Sequence, residues 1–245
     1  SNKILQKRIK VTAMRKHLTR MTHHDNFIYL TFALTLLLLS TAIAQQFFDP
    51  SAQRFVQSTT VITLLVAVWG VKSDEFLLNK AFIFPLAIIF SSFSGYWLDD
   101  AGFEFIHLLL MLIFFISTAI QTSKQVLFSG EIDGNKILGA ICLYMLLGLI
   151  WALTYTLSQL YFGSAFTGLS ESTDWYLVFP DFVYFSFVTL TTLGFGDISP
   201  TLPITRFLVY LQAIVGQFYL AILVASLVGS RMTNVNSNSS NNKEK

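Results

Sequence analysis

Residues 180–197 read Pro180-Asp181-Phe182-Val183-Tyr184-Phe185-Ser186-Phe187-Val188-Thr189-Leu190-Thr191-Thr192-Leu193-Gly194-Phe195-Gly196-Asp197. The first twelve are mostly apolar and aromatic, and Pro180 suits the start of a helix. A helix needs roughly 20 apolar residues to cross a bilayer, so this one is too short. Gly194 and Gly196 then stop it. A short helix that enters, turns at glycines and leaves is a re-entrant loop. Irregular backbone at membrane depth is tolerated only where protein buries it or water lines it.

The surrounding chain supplies that membrane setting. Of its 245 residues 53% are hydrophobic and 12% charged, and Phe occurs 24 times. Water-soluble domains carry about 25% charge. Apolar runs at 27–47, 55–71, 81–98, 104–122, 136–162 and 203–229 predict six spans. The second is short and holds Ser58, Thr59, Thr60 and Thr63; it reads as partly interfacial or as packed inside a bundle. Pro85 and Gly95 are tolerable in the third when neighbours satisfy the backbone. Residues 163–177 are polar and turn-rich and read as an extracellular turret. The first span has a signal-peptide flavour, with Ala42-Ile43-Ala44 near its end. Its long basic flank and its apolar run of about 18 residues favour a retained anchor. A single cysteine, Cys142, excludes an intrachain disulfide framework and reads as a small buried side chain.

Charge orients the spans. Residues 1–24 hold Lys3, Lys7, Arg8, Lys10, Arg15, Lys16 and Arg20 with no acid. Lys72, Lys80, Lys124, Lys136, Arg231, Lys243 and Lys245 fall on the same side, and only Arg54 and Arg206 lie opposite. Both termini are therefore expected in the cytoplasm. The basic arm also carries Ile4, Ile9, Val11, Met14 and Leu18. It is read either as an amphipathic helix on anionic lipid or as a solvated arm that only sets topology. Beside a membrane span such an arm does not call for nucleic acid.

The run Thr191-Thr192-Leu193-Gly194-Phe195-Gly196-Asp197 resembles the potassium channel family, whose motif is TVGYG, usually followed by Asp. The likeness covers roughly 160–229. It implies an all-α membrane protein with six transmembrane helices. A re-entrant pore helix and selectivity filter lie between spans five and six. One motif per chain supplies a quarter of a ring, so the pore is a homotetramer. By resemblance the filter is Thr192, Leu193, Gly194, Phe195 and Gly196. The carbonyls of Thr192, Leu193, Gly194 and Phe195 and the Thr192 hydroxyl ligate K+, which is the permeant ion and not a cofactor. Thr191, Asp197, Tyr184, Phe185 and Val188 support the filter.

Many relatives carry Tyr at the Phe195 position, bonded to an aromatic of the neighbouring pore helix where this chain has Phe185. Both polar handles are absent, which suggests an apolar aromatic wall. Val188 stands where some relatives have Glu. Tyr184 stands where relatives often have Trp and is expected to bond Asp197. Gly216 falls at the family's gating-hinge position, and close helix packing is the alternative. Gln212, Gln217 and Ser226 either face a water-filled cavity or pack between helices.

Six-span relatives sense voltage with arginines in span four, but Phe105–Ile120 holds no Arg or Lys. Each charge moved through the field yields about 2.3 kcal/mol per 100 mV, so steep voltage gating is not expected. His107 is either a pH sensor or an interfacial or satisfied histidine. His23-His24-Asp25 reads as a membrane-flanking polar cluster before a metal site. No nucleophile–base pair, metal-ligand spacing or phosphate loop points to an enzyme.

The expected division is a basic arm at 1–26, a four-span sensor-like bundle at 27–122 and a linker at 123–135. A pore domain at 136–230 and a disordered, Asn- and Ser-rich tail at 231–245 complete it. Residence in the cell membrane is expected. The competing readings are a weakly selective cation channel and a potassium transporter subunit. Transporters of that kind carry four degenerate filter motifs in one chain, and this chain has one intact motif.

Overall fold

A computed structural model describes residues 26–49, 53, 101–128, 134–170, 172 and 174–241. The second and third predicted spans lie outside the described residues, as do the arm through residue 25 and His23-His24-Asp25. Among the described residues, four helices are long and apolar enough to cross a membrane. They belong to α1 (Asn26–Phe47), α2 (Ala101–Phe128), α3 (Gly134–Phe162) and α5 (Pro203–Asn241). Each contains one of the predicted runs. Between α3 and α5 stands the short α4 (Trp175–Leu190).

The helices α1 and α2 both lie against α3, and α4 packs on α3 as well and also touches α1. Leu30 and Leu34 of α1, Leu108 and Phe115 of α2, Leu149 of α3 and Phe182 of α4 are all fully buried in one core. Gly139 lets the first three helices converge. A Cβ there would stand 2.6 Å from Val126 and 3.1 Å from the Phe27 ring. Hydroxyls in the spans are hidden by bonding back along their own helix. Thr118 donates to Phe114 O at 2.9 Å and Thr156 to Ala152 O at 2.9 Å. Cys142 is fully buried, its Sγ 3.0 Å from Thr31 Oγ1.

Pro180 does not start α4. Leu177 N and Val178 N both bond Asp174 O, so the helix begins five residues earlier and Pro180 sits inside it. A proline there forgoes the bond its own N–H would have made and crowds the carbonyl of Tyr176 four residues earlier. At 16 residues α4 is too short to span.

The turn-rich segment after α3 is tied to the segment that follows the Gly-rich run. Phe166–Thr167 (β1) pairs antiparallel with Ser199–Pro200 (β2), Phe166 opposite Pro200 and Thr167 opposite Ser199. Gln159 closes the turn that leaves α3: its Oε1 accepts from Ala165 N (3.0 Å) and Phe166 N (3.1 Å), and its Nε2 donates to Gly163 O. At the far end α5 continues to Asn241, where disorder was expected. Adding residues to a formed helix avoids the nucleation cost that would penalise the same polar sequence alone.

Candidate functional site

The end of α4 launches the Gly-rich run. Thr191 caps the helix with φ −85° and its Oγ1 donates to Phe187 O at 2.7 Å. Thr192 N bonds Thr189 O at 2.9 Å, and Leu193 N bonds Val188 O at 2.9 Å. Val188 thus supports the run through its carbonyl, while its side chain is buried.

From there the backbone alternates. Thr192, Gly194 and Gly196 have φ of 60°, 57° and 80°, and no other non-glycine among the described residues has positive φ. A Cβ at Gly194 or Gly196 would meet nothing within 4 Å inside the subunit. What glycine supplies at these positions is therefore conformation, not room. Leu193 and Phe195 between them are 58% and 65% exposed. Alternation of this kind turns successive carbonyls of an extended strand toward one side.

The outer end of the run is tethered to α4. The Tyr184 hydroxyl donates to Asp197 Oδ2 at 2.7 Å, and the Tyr184 and Phe195 rings stack with centroids 6.4 Å apart. Phe185 is not the partner of Phe195 within the chain. It is buried against Tyr155 and Phe166. Successive residues of a helix face different ways, so Tyr184 faces the Gly-rich run and Phe185 the core. The outer end therefore keeps one polar tether beside its aromatic contact. Gly168 presses on the same place from the turret: a Cβ there would stand 2.0 Å from Asp197 O.

The tether has a pH signature. The Tyr184 hydroxyl bond holds the Asp197 carboxyl below the usual carboxylate range and pushes the Tyr184 phenol up. A carboxyl lowered in this way stabilises the fold fully above the ordinary value of about 3.9 and loses that contribution as pH falls through the lowered value. We expect the fold to fail at low pH only below the ordinary carboxylate range, as followed by thermal unfolding in detergent. Tyr184→Phe should move that failure to higher pH. An unchanged acidic limb in the variant would refute the tether.

Behind α4 lies a buried polar network that composition alone did not reveal. Gln212 of α5 is fully buried. Its Nε2 donates to Ser186 O at 3.0 Å and Ser186 Oγ at 2.8 Å. Its Oε1 accepts from the Tyr155 hydroxyl of α3. Ser186 Oγ in turn donates to Gly148 O at 2.6 Å. Three helices are thereby joined through side chains whose hydrogen-bonding groups are paired. Gln212 packs between helices, and the cavity alternative does not hold for it. Gln217 is exposed, with Nε2 3.2 Å from Thr192 Oγ1.

Gly216 sits between these glutamines and touches α4. A Cβ there would be 2.5 Å from Leu190 O. That contact gives Gly216 a packing role whether or not the helix bends there. A second unforeseen node is Asp181 near the start of α4. Its Oδ1 accepts from Gln45 Nε2 of α1 at 2.7 Å, and its Oδ2 from Ser170 N at 2.9 Å and from the Ser170 hydroxyl. His107 of α2 is buried with its ring 5.3 Å from that of Trp175.

A family model described as an ion channel matches residues 140–233. That stretch runs from α3 through the turret, α4 and the Gly-rich run into α5. Comparisons with curated proteins and with solved structures returned no match.

Proposed function

We propose that this chain, a member of the potassium channel superfamily through residues 140–233, conducts K+ selectively as a homotetramer without steep voltage dependence. Ion channel activity in a multi-pass membrane protein follows from the family itself. The observation that carries selectivity is the alternating positive φ at Thr192, Gly194 and Gly196, at the end of a helix too short to span. Four such strands around an axis present rings of carbonyl oxygens that replace the hydration shell of K+. The Thr192 hydroxyl serves as the innermost ligand, and Gly216 remains the proposed hinge.

Burial supports the tetramer. Within the subunit 11% of the span in α5 is buried, against 50% of that in α3. Gln217, Leu193 and Phe195 are also exposed. An inner helix and a filter strand shared among four subunits have this character. The arginine-free α2 supports voltage independence: its one basic residue, Lys124, lies near its end. The lopsided basic residues support cytoplasmic termini. Single-channel recording of the reconstituted chain, with K+ on one side and Na+ on the other, tests selectivity and voltage dependence together.

A further inference from the structure

Gln217 of α5 reaches the base of the filter strand. The approach is set by Gly216, whose missing Cβ lets the helix backbone come up to Leu190 O. The next side chain then reaches Thr192, the one non-glycine among the described residues with positive φ. Its Nε2 lies 3.2 Å from Thr192 Oγ1. Besides Thr192 N bonded to Thr189 O, this is the bond that pins the first residue of the strand.

We propose that Gln217 weakens the innermost cation site by donating its side-chain amide to the Thr192 hydroxyl oxygen, and so eases ion transfer between the filter and the cavity. The inference rests on the K+ pore reading above. A hydroxyl has one proton and two lone pairs. The Gln217 N–H occupies one lone pair and leaves the other for an ion. It also brings the positive end of an amide dipole to the oxygen that ligates a cation, and like signs oppose. Conduction needs sites that hold an ion firmly enough to accept it and loosely enough to release it. A neutral amide adjusts this balance without adding charge to the cavity. Gln212, five residues earlier, cannot do the same, because both ends of its amide are engaged behind α4.

The test uses the full chain in planar bilayers, with Ba2+, a divalent ion close to K+ in radius, applied from the cytoplasmic side. Gln217→Met keeps the length of the side chain and removes the donor. We expect its half-blocking Ba2+ concentration to fall roughly threefold to tenfold, the worth of one hydrogen bond, with the K+/Na+ reversal potential unchanged. Gln217→Asn, too short to reach Thr192, should shift block in the same direction and serves if the methionine variant does not assemble. Selective K+ current with block unchanged or weakened in either variant overturns this inference and leaves the parent reading intact. A wild-type chain that passes no selective K+ current overturns both.

Discussion

Gly168→Ala is expected to abolish K+ conduction, whereas Gly163→Ala is expected to spare it. Both glycines lie in the turret with positive φ, 84° and 72°. An alanine at either position costs about 1–2 kcal/mol for the left-handed backbone. The space around them differs. At Gly163 a Cβ meets nothing within 4 Å, but at Gly168 it would stand 2.0 Å from Asp197 O and 3.2 Å from Ile198 Cα. Those are backbone atoms and cannot rotate away. Relief requires moving the segment that holds Asp197 against Tyr184, so the outer end of the filter moves with it. Both variants should lose thermal stability in detergent, and only Gly168→Ala should lose flux. Equal flux from the two would show that the turret does not position the filter.

The second large effect is expected at Gln212. Gln212→Leu leaves the Tyr155 hydroxyl, in a fully buried residue, with no acceptor from α5. An orphaned buried donor costs about 1–3 kcal/mol. Removing both partners together is much less harmful, since no polar group is stranded. Tyr155→Phe combined with Gln212→Leu should therefore recover at least half of the stability lost by Gln212→Leu alone. Thermal unfolding of the detergent-solubilised protein for the two singles and the double gives the coupling directly. Simple additivity would mean that the three helices are not joined through this amide.

These two sites mark what could and could not be read from the chain. The Gly-rich run stood out as a candidate filter because two glycines two residues apart follow an apolar stretch too short to span, and because the run resembles the potassium channel motif. The Tyr184–Asp197 bond was also anticipated, because Tyr184 stands where the family it resembles often has Trp; it joins residues 13 apart. The start of α4 was expected at Pro180 because a proline favours a first turn, but the backbone bonds to Asp174 O start the helix five residues earlier. The Gln212 network was hidden because its partners come from α3 and α4, up to 57 residues away. One signal was available. Five residues along a helix amounts to about 140° of rotation, so Gln212 and Gln217 could not both face one cavity. Gly216 resisted a single reading because a hinge and a close approach to Leu190 O demand the same residue. The node at Asp181, which ties α1 and the turret to α4, depends on the tertiary meeting of three segments and has no local signature.

The central claim is that the strand from Thr192 to Gly196 selects K+. Its most direct test is the reversal potential of the reconstituted wild-type chain under a tenfold K+ gradient balanced by Na+. A K+-selective pore reverses close to the K+ equilibrium potential, about 59 mV from zero at 25 °C. Its open probability should change little between negative and positive voltages. Reversal near zero would mean that Na+ and K+ pass alike, and would contradict the account.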